Sequence, residues 1–252
     1  MIRTLLLTTA FIALLPSVPA SAVAQDAAKM DAPKTAEAGE APALLAPNAL
    51  RPEWLMPAPP ADDSAQGMAE LAEVKKISSE ASPEVRAAAD KDGATENVTF
   101  FADTVPGFDV TKLPATKKLF DEVANEEEQR TKLFKTYFAR KRPYQRDPSI
   151  SICASEGKGT TKPNSYPSGH TTLAFSMGVT LANLIPEKNQ AILARAKLYA
   201  EHRMVCGVHF RSDLVGGQAL GTALALKLME VPSFRTDYDA AHAELVQAGL
   251  TK

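Results

Sequence analysis

From Ser64 onward, apolar residues recur at intervals of three and four, and this periodicity constrains the fold more than any other feature of the chain. Ser64 precedes Met68, Leu71, Val74 and Ile77, a spacing that places them on one helical face behind a serine N-cap. Ser82-Pro83 supplies a second cap with proline in the first turn. Leu113-Pro114 opens a further helix, with Leu119, Phe120 and Val123 on one side and Leu133, Phe134, Tyr137 and Phe138 further along. It is expected to run until Arg142-Pro143, because proline disfavours helix in the residue before it. After a loop over residues 144–167, helical spacing resumes over 170–185, 187–202, 213–229 and 236–248. Strand-like alternating runs never occur in series, so the expected fold class is all-α.

With 28 Lys+Arg against 30 Asp+Glu, the formal net charge of the 252 residues is −2. No global basic field exists to hold nucleic acid or an anionic membrane, so any bound anion must be held locally. Arg3, an apolar run over residues 5–15 and the small residues ending at Ala24 read as a secretory signal peptide, residues 1–24. The apolar run is about half the ~20 residues a bilayer span needs. The best later candidate, residues 171–185, is stopped by Pro186 and Glu187, so no membrane insertion is expected and the mature protein reads as exported and soluble. Residues 25–53, rich in Ala, Pro, Glu and Lys, read as a tether ahead of one helical domain over 54–252. Cys153 and Cys206 are the only cysteines and allow either one disulfide or two buried thiols.

Three clusters carry chemistry. Lys135 and Arg142 lie seven residues apart, close to two helical turns, so both cations are expected on one helix face; the plain alternative is a solvated basic patch with Arg140, Lys141 and Arg146. In Tyr166-Pro167-Ser168-Gly169-His170, Ser168 is placed as an N-cap, and the N–H groups of Gly169 and His170 can converge on an anion. Arg203, His209 and Asp213 form the third. If His209 opens a helix, Asp213 one turn on accepts its Nδ1 proton and leaves Nε2 unprotonated, a nucleophile or base. A metal site of His202, His209 and Asp213 is the weaker alternative, since the spacing lacks a His-x-x-x-His pair or a carboxylate cluster. Together the clusters suit a phosphate: three cations for its oxygens, helix-end donors, and two histidines for in-line displacement.

These motifs, in this order, resemble the tripartite signature of the type 2 phosphatidic acid phosphatase and vanadium haloperoxidase superfamily, and within it the class A bacterial non-specific acid phosphatases. The resemblance takes in residues 54–234, including the proline-rich Leu55-Met56-Pro57-Ala58-Pro59-Pro60 and the Val205-Cys206-Gly207 segment. It implies an all-α bundle of that type, periplasmic, homo-oligomeric, free of metal or other cofactor, and hydrolysing small phosphate monoesters. Carried over by position, it makes His209 the nucleophile, Asp213 its orienting partner and His170 the general acid. Lys135, Arg142, Ser168, Gly169 and Arg203 would bind phosphate, and Cys153 would pair with Cys206. Departures from the pattern are His202 in place of a serine, Asn164 in place of a glycine and Phe210 in place of a tryptophan. A vanadate-dependent haloperoxidase and a non-catalytic phosphate-binding protein are the competing readings.

Overall fold

The computed structural model describes residues 42–252, and every regular element among them is helical. In chain order these are α1 (Pro52–Leu55), α2 (Ala65–Glu80), α3 (Pro83–Gly93), α4 (Pro114–Phe138), α5 (Pro143–Arg146), α6 (Gly169–Leu184), α7 (Asn189–Val205), α8 (Arg211–Leu228) and α9 (Pro232–Gln247), with short 3-10 turns between. Local chemistry sets most of the starts. Ser64, Ser82 and Ser168 cap α2, α3 and α6 with their side chains, and proline occupies the first turn of α1, α3, α4, α5 and α9.

The most apolar helix, α6, lies at the centre, packed along α8 and α7 and against α4. Two glycines let α8 approach it closely. A Cβ on Gly217 would stand 2.7 Å from the Ser168 carbonyl oxygen, and one on Gly221 would stand 2.4 Å from that of Thr172. Leu181, Leu184, Leu220, Leu224 and Leu228 fill this interface with no exposure, while Leu119, Phe120 and Phe134 of α4 join them in the main core. Each such side chain contributes about 1.5–3 kcal/mol of hydrophobic free energy. The disulfide Cys153–Cys206, with Cα atoms 4.8 Å apart, ties the turn at Ala154–Glu156 to the end of α7.

The structure departs from the sequence expectations at several boundaries. Helix α4 ends at Phe138, where Ala139 turns left-handed (φ 47°, ψ 43°) and donates its N–H to the Lys135 carbonyl. Lys135 and Arg142 therefore do not share a helix face. Arg142 follows the turn and sits as N-cap of α5. His209 precedes α8 instead of opening it, and α9 starts at Pro232 rather than 236 because proline sets its first turn. Packing begins before residue 54: Leu45 and Leu50 lie in the core, and the buried Arg130 donates to the carbonyls of Leu45, Ala46 and Pro47 at 2.7–3.1 Å. A buried guanidinium needs such acceptors, and the arm supplies them. Residues 1–24 and most of the expected tether lie outside the described residues. Among the described residues no single helix is long and apolar enough to cross a membrane; α8 and α9 reach that length only as a pair bent by 93°.

Candidate active site

The three clusters meet where α4 ends and where α6 and α8 begin. The backbone N–H of Ser168 donates to the Asp213 carbonyl at 3.0 Å, which joins the starts of α6 and α8 directly. Beside this junction opens a cavity of about 890 Å³, with Lys135, Arg142, Gly169 and His170 in its wall together with the carboxylates of Glu127 and Glu156.

Arg142 and Arg203 are buried and Lys135 is partly buried, and each cation is placed by a different element. Lys135, in the last turn of α4, points at α6, so that a Cβ on Gly169 would stand 3.2 Å from its Nζ. Burial first, and then the neighbouring Arg142 charge, push its ammonium down to about 8, against the pull of Glu127. Arg142 donates from Nε to the Asn164 amide oxygen at 3.0 Å, and its backbone N–H is held by the Gln145 side chain at 2.8 Å. Arg203, fully buried on α7, donates from Nη2 to Glu156, while its Nε and Nη1 have no hydrogen-bond partner among the described residues. A buried guanidinium with two unfilled donors is suited to an oxyanion.

Ser168 is wholly buried; its Oγ accepts from the Thr171 N–H at 3.3 Å and the Thr171 hydroxyl at 3.0 Å. Gly169 and His170 precede the first intrahelical bond of α6, so their N–H groups have no acceptor within the helix.

The two histidines differ in their restraint. His209 has Nδ1 3.2 Å from Asp213 Oδ2. That carboxylate also accepts the Ser165 hydroxyl at 2.5 Å, the Phe210 N–H at 2.9 Å and, on Oδ1, the Arg140 guanidinium at 2.6 Å. So many donors keep Asp213 an acceptor, which places the His209 proton on Nδ1 and the lone pair on Nε2. Burial, followed by Arg142, Lys135 and Arg203, holds the His209 pKa well below the ordinary histidine value, so the ring is neutral. His170 directs Nε2 at the Gly93 carbonyl (3.0 Å) and at Glu96 (3.2 Å). Both are acceptors, so Nε2 carries the proton of the neutral ring. Burial, then the charge of Arg203, also drives the His170 pKa well down.

Several residues of this centre were missed by sequence reasoning. Arg140, expected in a solvated basic patch, is buried: it bridges Asp213 to Glu70 (2.8 Å) and lies 4.1 Å over the Phe210 ring. No spacing rule marks it, because it acts after the left-handed turn. Glu127 and Thr131, eight and four residues before Lys135, were readable as one helix face. Burial raises the Glu127 carboxyl to about 7, opposed by the Thr131 hydroxyl at 2.5 Å. His202 turns away from the centre and pairs with Asp92 at 2.6 Å, so it does not join His209 and Asp213. Among the described residues no three of His, Cys, Asp and Glu converge as a metal site.

The PAP2 superfamily signature matches residues 128–237, a stretch that contains every residue of the expected site. The chain is 34% identical over 141 residues to an acid phosphatase of Zymomonas mobilis subsp. mobilis, covering 56% of this chain and 53% of the relative. It thus spans about half the length of that relative. To the non-specific acid phosphatase of Salmonella typhimurium it is 28% identical over 197 residues, 76% of this chain and 78% of the other; to that of Providencia stuartii the figures are 25%, 165 residues, 64% and 66%. Among solved structures it is similar to the first transmembrane PAP2 type phosphatidylglycerolphosphate phosphatase from Bacillus subtilis, at 19% identity and a TM-score of 0.48, covering 69% of this chain and 89% of that one. Over residues 128–237 the chain is similar to the PAP2 superfamily, and non-specific acid phosphatases are among the relatives it resembles.

Proposed function

We propose that the protein is an exported acid phosphatase that hydrolyses phosphate monoesters through a phosphohistidine. The observation that carries this reading is a neutral His209, oriented by Asp213 through Nδ1 and influenced by the charges of Lys135, Arg142 and Arg203. In this scheme the three cations and the first N–H groups of α6 hold the non-bridging oxygens of the ester. His209 Nε2 attacks phosphorus, the N–P bond forms as the ester P–O bond breaks, and the leaving alkoxide takes a proton from His170. Water then attacks phosphorus, giving a proton back to His170; the N–P bond breaks, and inorganic phosphate and neutral His209 remain. Every role in this scheme is filled by a side chain or backbone group of the chain itself, so turnover is expected to persist in chelator.

The test is hydrolysis of p-nitrophenyl phosphate, with chelator present, by wild type and His209→Ala. The variant should lose at least about 10⁴-fold in kcat, the scale seen when a catalytic nucleophile or its partner is removed. Retained turnover in the variant overturns the reading. Export is tested by the N-terminus of the secreted protein, expected at Gln25, and homo-oligomeric assembly by sedimentation.

A further inference from the structure

His202 and Asp92 take no part in the scheme above, yet they form a close titratable cluster next to it. Asp92 is buried near the C-terminal end of α3, where the helix dipole disfavours a negative charge. It is held by three donors from α7: His202 Nδ1 at 2.6 Å on one oxygen, and Arg195 at 3.0 and 2.5 Å across both. Burial opposes its charge, but these bonds keep the carboxyl below its usual range. The same face of α7 grips the chain beyond, with Arg195 Nε on the Phe100 carbonyl (3.1 Å) and the Tyr199 hydroxyl on that of Thr95 (2.8 Å).

Gly93, the next residue, touches both halves of the site. Its carbonyl accepts the His170 Nε2–H at 3.0 Å, and a Cβ there would lie 2.8 Å from Arg203 Nη1 and 2.5 Å from the Ser155 hydroxyl. A side chain there would have to push the ends of Arg203 and Ser155 aside. The His170 ring also lies alongside Tyr199, centroids 5.8 Å apart, on the helix that carries His202. A carbonyl fixed at Nε2 confines the proton to that nitrogen in the neutral ring, so the proton exchanged with substrate passes through Nδ1. Buried ion pairs are poor sources of net stability compared with apolar packing, so one held this closely beside the acid calls for another role.

We infer that Asp92 and His202 are a positioning pair for His170, acting through the Gly93 carbonyl to fix the ring's tautomer and orientation for proton donation. The inference rests on His170 being the acid. A group that positions an acid matters in proportion to how much the leaving group needs a proton. The experiment measures kcat and KM of wild type, His170→Ala, His202→Ala, His202→Asn and Asp92→Asn on p-nitrophenyl phosphate, whose leaving group departs without help, and on glycerol 2-phosphate, whose alkoxide does not.

His170→Ala is expected to lose about 10²–10⁴-fold on the alkyl ester and far less on the aryl ester. His202→Ala and Asp92→Asn should show the same preference at about tenfold, in kcat rather than KM. His202→Asn, which can still donate to Asp92, should recover most of the loss. If His170→Ala is selective while His202→Ala and Asp92→Asn lose equally on both esters, or shift only KM or Tm, the positioning role is overturned and the acid assignment stands. If His170→Ala itself does not discriminate between the esters, the assignment of the acid fails and the pair's role fails with it. Asp92→Asn preserves side-chain volume and provides the reading if His202→Ala does not fold.

Discussion

At the scale of single residues, the site is a contest between fixed cations and nearby carboxylates. Glu156 is already bonded to Arg203, so a phosphate oxygen must displace it or share the guanidinium. Glu156→Gln should tighten competitive inhibition by inorganic phosphate roughly tenfold, the scale of one charge-assisted hydrogen bond; an unchanged or weaker inhibition constant sinks this view of Glu156. Lys135 supplies a pH limb. Its ammonium, pushed down to about 8, loses its charge as pH rises through that value, so the inhibition constant for phosphate should climb there and no longer do so in Lys135→Arg. On the acid side both histidines favour the neutral ring, which in the proposed scheme leaves His209 free to attack and has His170 take up its proton only as pH falls. The optimum of kcat/KM is therefore expected below the ordinary histidine value of about 6.5. The signature positions were readable because they lie in short spacings. Arg140, Glu156 and Asp92 were not, since each reaches its partner across 47 to 110 residues of sequence, a distance that periodicity does not see.

At the scale of elements, two contacts set the geometry: the left-handed turn after α4 and the close approach of α6 and α8. The turn was not legible, because alanine, unlike glycine or asparagine, gives no stop signal. Tertiary bonds impose it, through the Arg140 side chain on Asp213 and Glu70 and its carbonyl, which accepts from the Ser165 N–H at 2.9 Å. The helix starts were legible wherever a serine or proline marked them, as at Ser64, Ser82 and Ser168. The α6–α8 contact predicts its own test. Gly221→Ala would press a methyl group within 2.4 Å of the Thr172 carbonyl, against backbone that cannot step aside. It should cost about 1–3 kcal/mol by overpacking and, by moving Ser168 from Asp213, lower kcat as well. Denaturant midpoints alongside kinetics check both; full stability would show that the helices tolerate separation.

At the scale of the whole molecule, the all-α class followed from periodicity alone, whereas the packed arm over residues 42–53 did not. Its prolines read as a tether, and the acceptors it provides for the buried Arg130 are visible only in three dimensions. One covalent link spans the far side of the site: Cys153 and Cys206, 53 residues apart, join the turn carrying Glu156 to the helix carrying Arg203. Replacing both by serine should lower unfolding free energy by up to about 4 kcal/mol, the loop-closure value for that length, read from urea denaturation. The central claim, that one imidazole captures phosphorus directly, is tested most directly by quenching turnover of a labelled monoester in alkali, which preserves phosphohistidine, and mapping the label by mass spectrometry. Phosphate on His209, absent from His209→Ala and accumulating when His170 is replaced with an aryl ester as substrate, is the predicted result. Label on any other residue, or steady turnover with no covalent phosphate under conditions that trap phosphohistidine, would contradict it.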